Sequence, residues 1–265
     1  METVLYDLVL DVGNTRMKAA LYGPMGVERS VILAHGDLSG LRNWLAGSRL
    51  EDIALASVIL PDPQLEGFLS TLAPVLVLHG GSPSPLISAY GTPHTLGVDR
   101  LANAVGARQQ FPGRPVIAID LGTCITYDVV DGSGRYHGGL ITPGMTMRAR
   151  AMNAYSARLP RVEPSGHPPL VGRDTVGSLE AGIHHGVRAE LVTLIHELRH
   201  EMPDAAVVLT GGDALRFTRA LKNGIFADPS LTLNGTHALL LHHRSLAAGH
   251  PSGDGRAPGT GADRG

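Results

Sequence analysis

Val116-Ile117-Ala118-Ile119-Asp120-Leu121-Gly122-Thr123 is the stretch on which the fold turns. The apolar run is short enough for one buried strand, and it ends in an aspartate, one apolar residue and a glycine. The chain carries the same pattern 109 residues earlier, as Leu8-Val9-Leu10-Asp11-Val12-Gly13-Asn14-Thr15. That spacing lets each copy open a domain of its own. The glycine permits a tight turn and a close backbone approach, and free N–H groups there can cradle phosphate oxygens. The aspartate at the strand's end can hold a water-ligated metal ion or position an attacking group. Two such loops facing one another make a nucleotide clamp. One Asp-x-Gly turn alone is weak evidence, since both residues are common turn formers. The pair, joined later by Thr210-Gly211-Gly212, is much stronger.

Working outward, residues 4–10 and 17–22 read as two strands joined through Gly13-Asn14-Thr15, and Val31 to Leu33 as a third. Asp37 to Leu45 reads as a helix capped by Asp37 or Ser39. Ile53 to Leu60 and Val75 to Leu78 are candidate buried strands. A loop rich in Pro, Ser and Gly spans 80–95 and contains Tyr90; a helix then opens at Gly97-Val98-Asp99-Arg100 and runs to about Gln110. The second half repeats the plan, with a hairpin turn at Asp131-Gly132-Ser133-Gly134. An Ala- and Met-rich helix ending near Leu159 follows, then a helix over 178–201 and a strand over Ala206 to Leu209. The expected class is α/β, with an N-terminal domain over 1–115 and a C-terminal domain over 116–246. Residues 247–265 form a tail with almost nothing to bury, expected to be disordered.

With 43% hydrophobic residues among 265, the chain can bury sizeable cores, but only 4% are aromatic, so Ala, Val, Leu and Ile must build them. A net charge of −2 makes no electrostatic case for nucleic acid or acidic membranes. The lone cysteine, Cys124, has no partner for an internal disulfide. The N-terminus lacks a basic stretch ahead of an apolar core, and no run approaches transmembrane length. A soluble cytoplasmic protein is expected.

Two motifs are decoys. His196-Glu197-Leu198-Arg199-His200 matches a zinc-protease pattern. At about 100° per residue, however, Leu191, Leu194, Ile195, Leu198 and Met202 form one apolar stripe and both histidines fall on the opposite, solvent face. Gly132-Ser133-Gly134 resembles a dinucleotide fingerprint, but it leads into a hairpin and not a helix. No Walker-type Gly-Lys-Ser/Thr occurs. Asp99, at a helix start, reads equally well as an N-terminal residue favoured by the helix dipole and as a general base for a substrate hydroxyl. The dipole is expected to lower its pKa, giving a dependably ionised but weak base, which suits phosphoryl transfer.

An ordered set of motifs now resembles the type III pantothenate kinases. It comprises Asp11-Val12-Gly13-Asn14-Thr15, Gly97-Val98-Asp99-Arg100, Asp120-Leu121-Gly122-Thr123, Gly138-Gly139, Pro143-Gly144 and Leu159-Pro160. Gly172-Arg173-Asp174-Thr175, Thr210-Gly211-Gly212 and Leu231-Thr232-Leu233-Asn234-Gly235 complete it. The resemblance covers roughly residues 4 to 245. It implies two ribonuclease-H-like domains of the actin-like ATPase fold with a nucleotide cleft between them. It also implies transfer of the ATP γ-phosphate to the primary hydroxyl of pantothenate, giving 4'-phosphopantothenate, the first step of coenzyme A biosynthesis.

By the same resemblance, Asp11, Val12, Gly13, Asn14, Thr15, Arg16, Met17 and Lys18 form the first phosphate-binding segment, and Thr123 falls where ATP binds. Asp99 matches the proton acceptor. Tyr90, Gly97, Val98, Asp99, Arg100 and Thr175 match pantothenate contacts. Asp120 matches the ligand of a monovalent cation, K+ or NH4+, and ATP is expected with Mg2+. A homodimer with its interface close to the substrate pocket is implied. Arg100 can reach an anionic substrate with two parallel hydrogen bonds. Three positions depart from the pattern: Asp174 where an uncharged polar residue is expected, Ser156 for Thr, and Thr236 for an apolar residue. The competing readings are a superfamily kinase for another substrate, a non-catalytic transcription accessory protein, and a zinc peptidase. The Tyr90 and Gly97–Arg100 group argues against the first, and intact Asp11, Asp99 and Asp120 against the second.

Overall fold

The computed structural model describes residues 4–164, 166–218, 221 and 225–248. All but the first two residues of the expected disordered tail lie outside them. Two sheets share one plan. In the first, β1 (Tyr6–Val12), β2 (Arg16–Gly23) and β3 (Gly26–Ala34) run antiparallel, and β4 (Leu50–Ser57) and β5 (Val75–Leu78) run parallel to β1, in the order β3-β2-β1-β4-β5. The second sheet repeats this with β7 (Val116–Leu121), β8 (Cys124–Val130), β9 (Arg135–Pro143), β10 (Ala206–Thr210) and β11 (Ile225–Ala227). Its order is β11-β10-β7-β8-β9-β6, the extra edge being β6 (Ile87–Ser88), which pairs parallel to β9. This doubled 3-2-1-4-5 sheet is the ribonuclease-H-like plan expected for an actin-like fold.

Local sequence explains most boundaries. Helix α1 (Leu38–Leu45) starts at Asp37, whose Oδ1 accepts from the Gly40 N–H at 2.8 Å. Helix α2 (Pro63–Ser70) is one the sequence reading passed over. Asp62 caps it by accepting from the Gln64 and Leu65 N–H groups, and Pro63 takes the first helical position, where it costs no hydrogen bond. Helix α4 (Met145–Ala154) ends before the expected Leu159, because Asn153 Nδ2 turns the chain by donating to the Leu159 carbonyl at 2.8 Å. Helix α5 (Thr175–Glu201) begins at Asp174, which accepts from the Gly177 N–H, so that the unexpected carboxylate has a capping role.

Between the sheets lie α3 (Val98–Gln110) and α7 (Leu231–Ala248), and residues of both helices and both sheets form one continuous core. That core is built largely from alanine, including Ala54, Ala56, Ala102, Ala104, Ala118 and Ala206, which lets backbones approach closely. The helices cross where Gly106 meets Gly235. A Cβ on Gly235 would overlap the Ala102 carbonyl oxygen, and one on Gly106 would sit 2.8 Å from the Leu231 carbonyl oxygen. Polar contacts then fix α7 to the first sheet. His237 Nε2 lies 3.0 Å from Asp7 Oδ2, and Arg244 bonds both Asp7 and Asp52. Burial opposes ionisation of Asp7, but His237 and Arg244 outweigh it and hold its carboxyl below the usual range. Tyr22 stacks on His237, with centroids 4.0 Å apart, and donates to Asn234 Oδ1.

The Gly235→Ala variant is expected to lose about 1–3 kcal/mol of stability, as overpacking does in a close-packed interior. Urea unfolding checks this: the midpoint should fall with the slope unchanged.

Candidate active site

Alternation along the two first strands sets the site. Leu8, Leu10 and Val12 pack outward beneath α1 and α2, while Val9 faces the central helices. Ile117, Ile119 and Leu121 likewise pack outward against α5, and Val116 and Ala118 face inward. With a period of two, Asp11 and Asp120 therefore both point into the space between the sheets. Asp99 joins them from the first turn of α3.

The three carboxylates feel one another's charge. Burial pushes the Asp11 carboxyl up to about 6; Lys18, 3.9 Å away and paired with it in register, pulls it down, and Asp120 and Asp99 push it further up. Asp120 is raised by burial and then by Asp99, against the pull of Lys18 and of Asn103, whose Nδ2 donates to Asp120 Oδ2 at 3.3 Å. Asp99 is raised as well. Burial outweighs the N–H of Arg100 and its charge, so the sequence expectation of a lowered pKa is reversed. Too little fixed positive charge faces these groups for all three to ionise at low cost.

The Gly-rich turns converge on the same place. Gly211, at φ +93°, brings its loop so close that a Cβ would overlap Asp120 Oδ1 and Leu121. Thr126 and Thr210 stand opposite Asp120 on the strands either side, so all three side chains share a face. Both threonine hydroxyls are buried without a hydrogen-bond partner. A carboxylate flanked by orphaned hydroxyl oxygens fits a hard cation that takes oxygen ligands.

Within the segment over 11–18 expected to bind phosphate, Asn14, Thr15 and Arg16 are exposed, and the turn is closed by the Gly13 N–H donating to the Arg16 carbonyl at 2.9 Å. Val12 and Met17 are buried in the outer core, which leaves them only backbone groups to offer a phosphate. Thr123 is exposed in the β7–β8 turn. Gly97 caps α3, and a side chain there would overlap Asp99 Oδ1; Val98 is buried in the central core.

Tyr90 lies over Arg100, the guanidinium carbon 5.8 Å from the ring centroid. Arg100 is itself buried, and its Nε donates to Asp128 Oδ1 at 2.9 Å. Thr175 stands apart. It is exposed and lines a cavity of about 590 Å³ with Met152, Leu159 and Gly172, sharing no lining residue with the Tyr90–Arg100 group. His196 and His200 are exposed on α5, and no group of three or more metal-ligating side chains occurs among the described residues.

Sequence reasoning missed Asn103 and Asp128. Asn103 is four residues after Asp99 on one helix face, and it also accepts from Thr232 at 2.8 Å. Asp128 lies two residues after Thr126 on β8 and so shares its face. Those periodicities were the available signals.

Two ribonuclease-H-like sheets, with Gly-rich turns and acidic strand ends converging between them, define an ATP-dependent phosphotransferase of the actin-like fold. The chain belongs to the type III pantothenate kinase family, whose sequence profile matches residues 7–197. A type III pantothenate kinase of Bacteroides fragilis is 39% identical over 88% of this chain and 97% of its own length. That of Phocaeicola vulgatus is 36% identical over 91% of this chain and 100% of its own. Among solved structures, a conserved putative Baf family transcriptional activator from Campylobacter jejuni superposes with a TM-score of 0.58, covering 90% of this chain and 99% of that one. At 18% identity that likeness is one of fold. Family membership makes the chain an ATP-dependent kinase of coenzyme A biosynthesis, acting on pantothenate.

Because Asp11 binds its proton more tightly folded than unfolded, its ionisation costs stability as pH rises from about 4 to 6. Asp11→Asn should therefore stabilise the ligand-free protein at pH 7 by on the order of 1–3 kcal/mol. The gain should shrink as pH falls from about 6 towards 4, which urea titrations across that range would check.

Proposed function

We propose that Asp99 accepts the proton of the pantothenate primary hydroxyl as that oxygen attacks the γ-phosphorus of ATP, giving 4'-phosphopantothenate and ADP. The observation that carries this reading is the convergence of three half-buried carboxylates, from two repeated strand ends and the start of α3. Burial raises Asp99, making it a stronger base than an exposed carboxylate. In a loose phosphoryl-transfer transition state the attacking hydroxyl needs positioning more than early deprotonation.

The turn over 11–18, with Lys18 and Thr123, is assigned to the phosphates of ATP. Asp11 is the residue that would hold Mg2+ through water, and the ion would supply charge neutralisation at those phosphates. Asp120, with the Thr126 and Thr210 hydroxyls, is assigned to K+ or NH4+. Lysines are scarce for this task, the chain having only Lys18 and Lys222. Tyr90, Gly97, Val98 and Arg100 are assigned to pantothenate.

Thr175 would join them from a second copy. A homodimer built across α4 and α5 is supported by the exposed apolar residues Met147, Tyr155, Leu170, Val171 and Val176 on or beside those helices. A cytoplasmic location agrees with the lone cysteine, and no helix among the described residues is long and apolar enough to cross a membrane.

Asp99→Asn is nearly isosteric and should fold, yet lose about 10²–10⁴-fold in turnover; wild-type turnover in a coupled ADP assay would refute the proton-acceptor role. Asp120→Ala should blunt the response of activity to added KCl, and an unchanged titration would remove it as the cation ligand.

A further inference from the structure

Asp128 is fully buried on β8 and accepts from two directions at a single oxygen. Arg100 Nε donates to Oδ1 at 2.9 Å, and the Tyr136 hydroxyl donates to the same atom at 2.8 Å. Arg100 Nη2 lies 2.8 Å from it as well, without hydrogen-bond geometry. Oδ2 and Nη2 are both buried with no hydrogen-bond partner. A pair evolved to maximise stability would use both carboxylate oxygens in a two-pronged fork. This one turns the Nε–Nη2 edge of the guanidinium toward the single oxygen Oδ1 and leaves the opposite end of the group for another anion. Burial of such a pair stabilises folding weakly at best, since desolvation offsets the attraction. Its geometry instead suits aiming the arginine.

Tyr136 and Tyr90 complete the arrangement. Their ring centroids are 6.0 Å apart, and Tyr90 rests on Gly138, where a Cβ would come within 3.0 Å of the ring. Arg100 is thus held by Asp128 on one side and faced by Tyr90 on another. Pantothenate carries a carboxylate at the end remote from its reacting hydroxyl, and a guanidinium fixed in direction recognises such a group with little entropic loss.

We infer that Asp128, steadied by Tyr136, is a positioning residue for substrate recognition: it fixes Arg100 so that the end of the guanidinium turned away from Asp128 meets the pantothenate carboxylate. This rests on the assignment of Arg100 to pantothenate. Neither Asp128 nor Tyr136 touches the substrate in this arrangement; both act through Arg100.

The test compares pantothenate with panthenol, in which a hydroxymethyl group replaces the carboxylate, on the full-length protein with saturating ATP. Asp128→Leu, which removes both acceptor oxygens at similar volume, should raise the pantothenate KM about tenfold or more with kcat within about threefold. The ATP KM and the kcat/KM for panthenol should stay at wild-type values. Asp128→Asn, which keeps an oxygen acceptor, should recover part of the loss. Equal losses on the two substrates, or a fall in kcat alone, would overturn the inference. Should Asp128→Leu fail to fold, Tyr136→Phe decides it: a loss selective for pantothenate supports the positioning role, and an equal loss or none overturns it. Arg100→Ala separates the two levels. If it does not discriminate between the substrates, the assignment of Arg100 itself is wrong; if it does and the Asp128 variants do not, only the positioning role falls.

Discussion

The close approach of α3 and α7 at Gly106 and Gly235 is the constraint on which the rest of the structure depends. With no side chains between them, the two backbones nearly touch, and the helix pair is thin enough for both sheets to pack on it at once. That fixes the depth at which the N-terminus of α3 presents Asp99 to the strand ends bearing Asp11 and Asp120.

The same closeness makes the ligand-free site electrostatically unfavourable. Three aspartates share a buried region with one nearby lysine, and burial raises all three. Cations and the phosphate-bound metal of a nucleotide complex relieve this, so the binding of charged ligands and the ionisation of the site are linked. The Asp128 carboxyl differs in having an arginine of its own beside it, although burial still pushes it up to about 7.

The repeated Asp-x-Gly strands made the fold legible, because period-two alternation and a terminal turn are local signals. The strands of the first hairpin, the capping of α1 and the long α5 follow for the same reason. Helix α2 was obscured because two prolines around Asp62 read as breakers, although one of them occupies a helix start. The short strand β6 forms only by docking on a distant edge, and nothing within 80–95 encodes that. At the site, Asp11, Asp99 and Asp120 could be picked out as strand-end and helix-start carboxylates. Their raised pKa values could not, since burial comes from elements far apart in the chain. Asn103 and Asp128 were missed because their partners, Asp120 and Arg100, lie 17 and 28 residues away.

The route of α7 has a consequence for how the chain is made. β1 leaves the ribosome more than 200 residues before α7, the helix that covers its inner face and whose Arg244 and His237 meet Asp7. The first sheet therefore cannot finish folding until α7 has emerged, and its inner face stays uncovered until then. Domain-by-domain folding from the N-terminus, common in longer proteins, is closed to this architecture. Nascent chains halted before about residue 231 would expose that face, the surface on which chaperones or premature association would act.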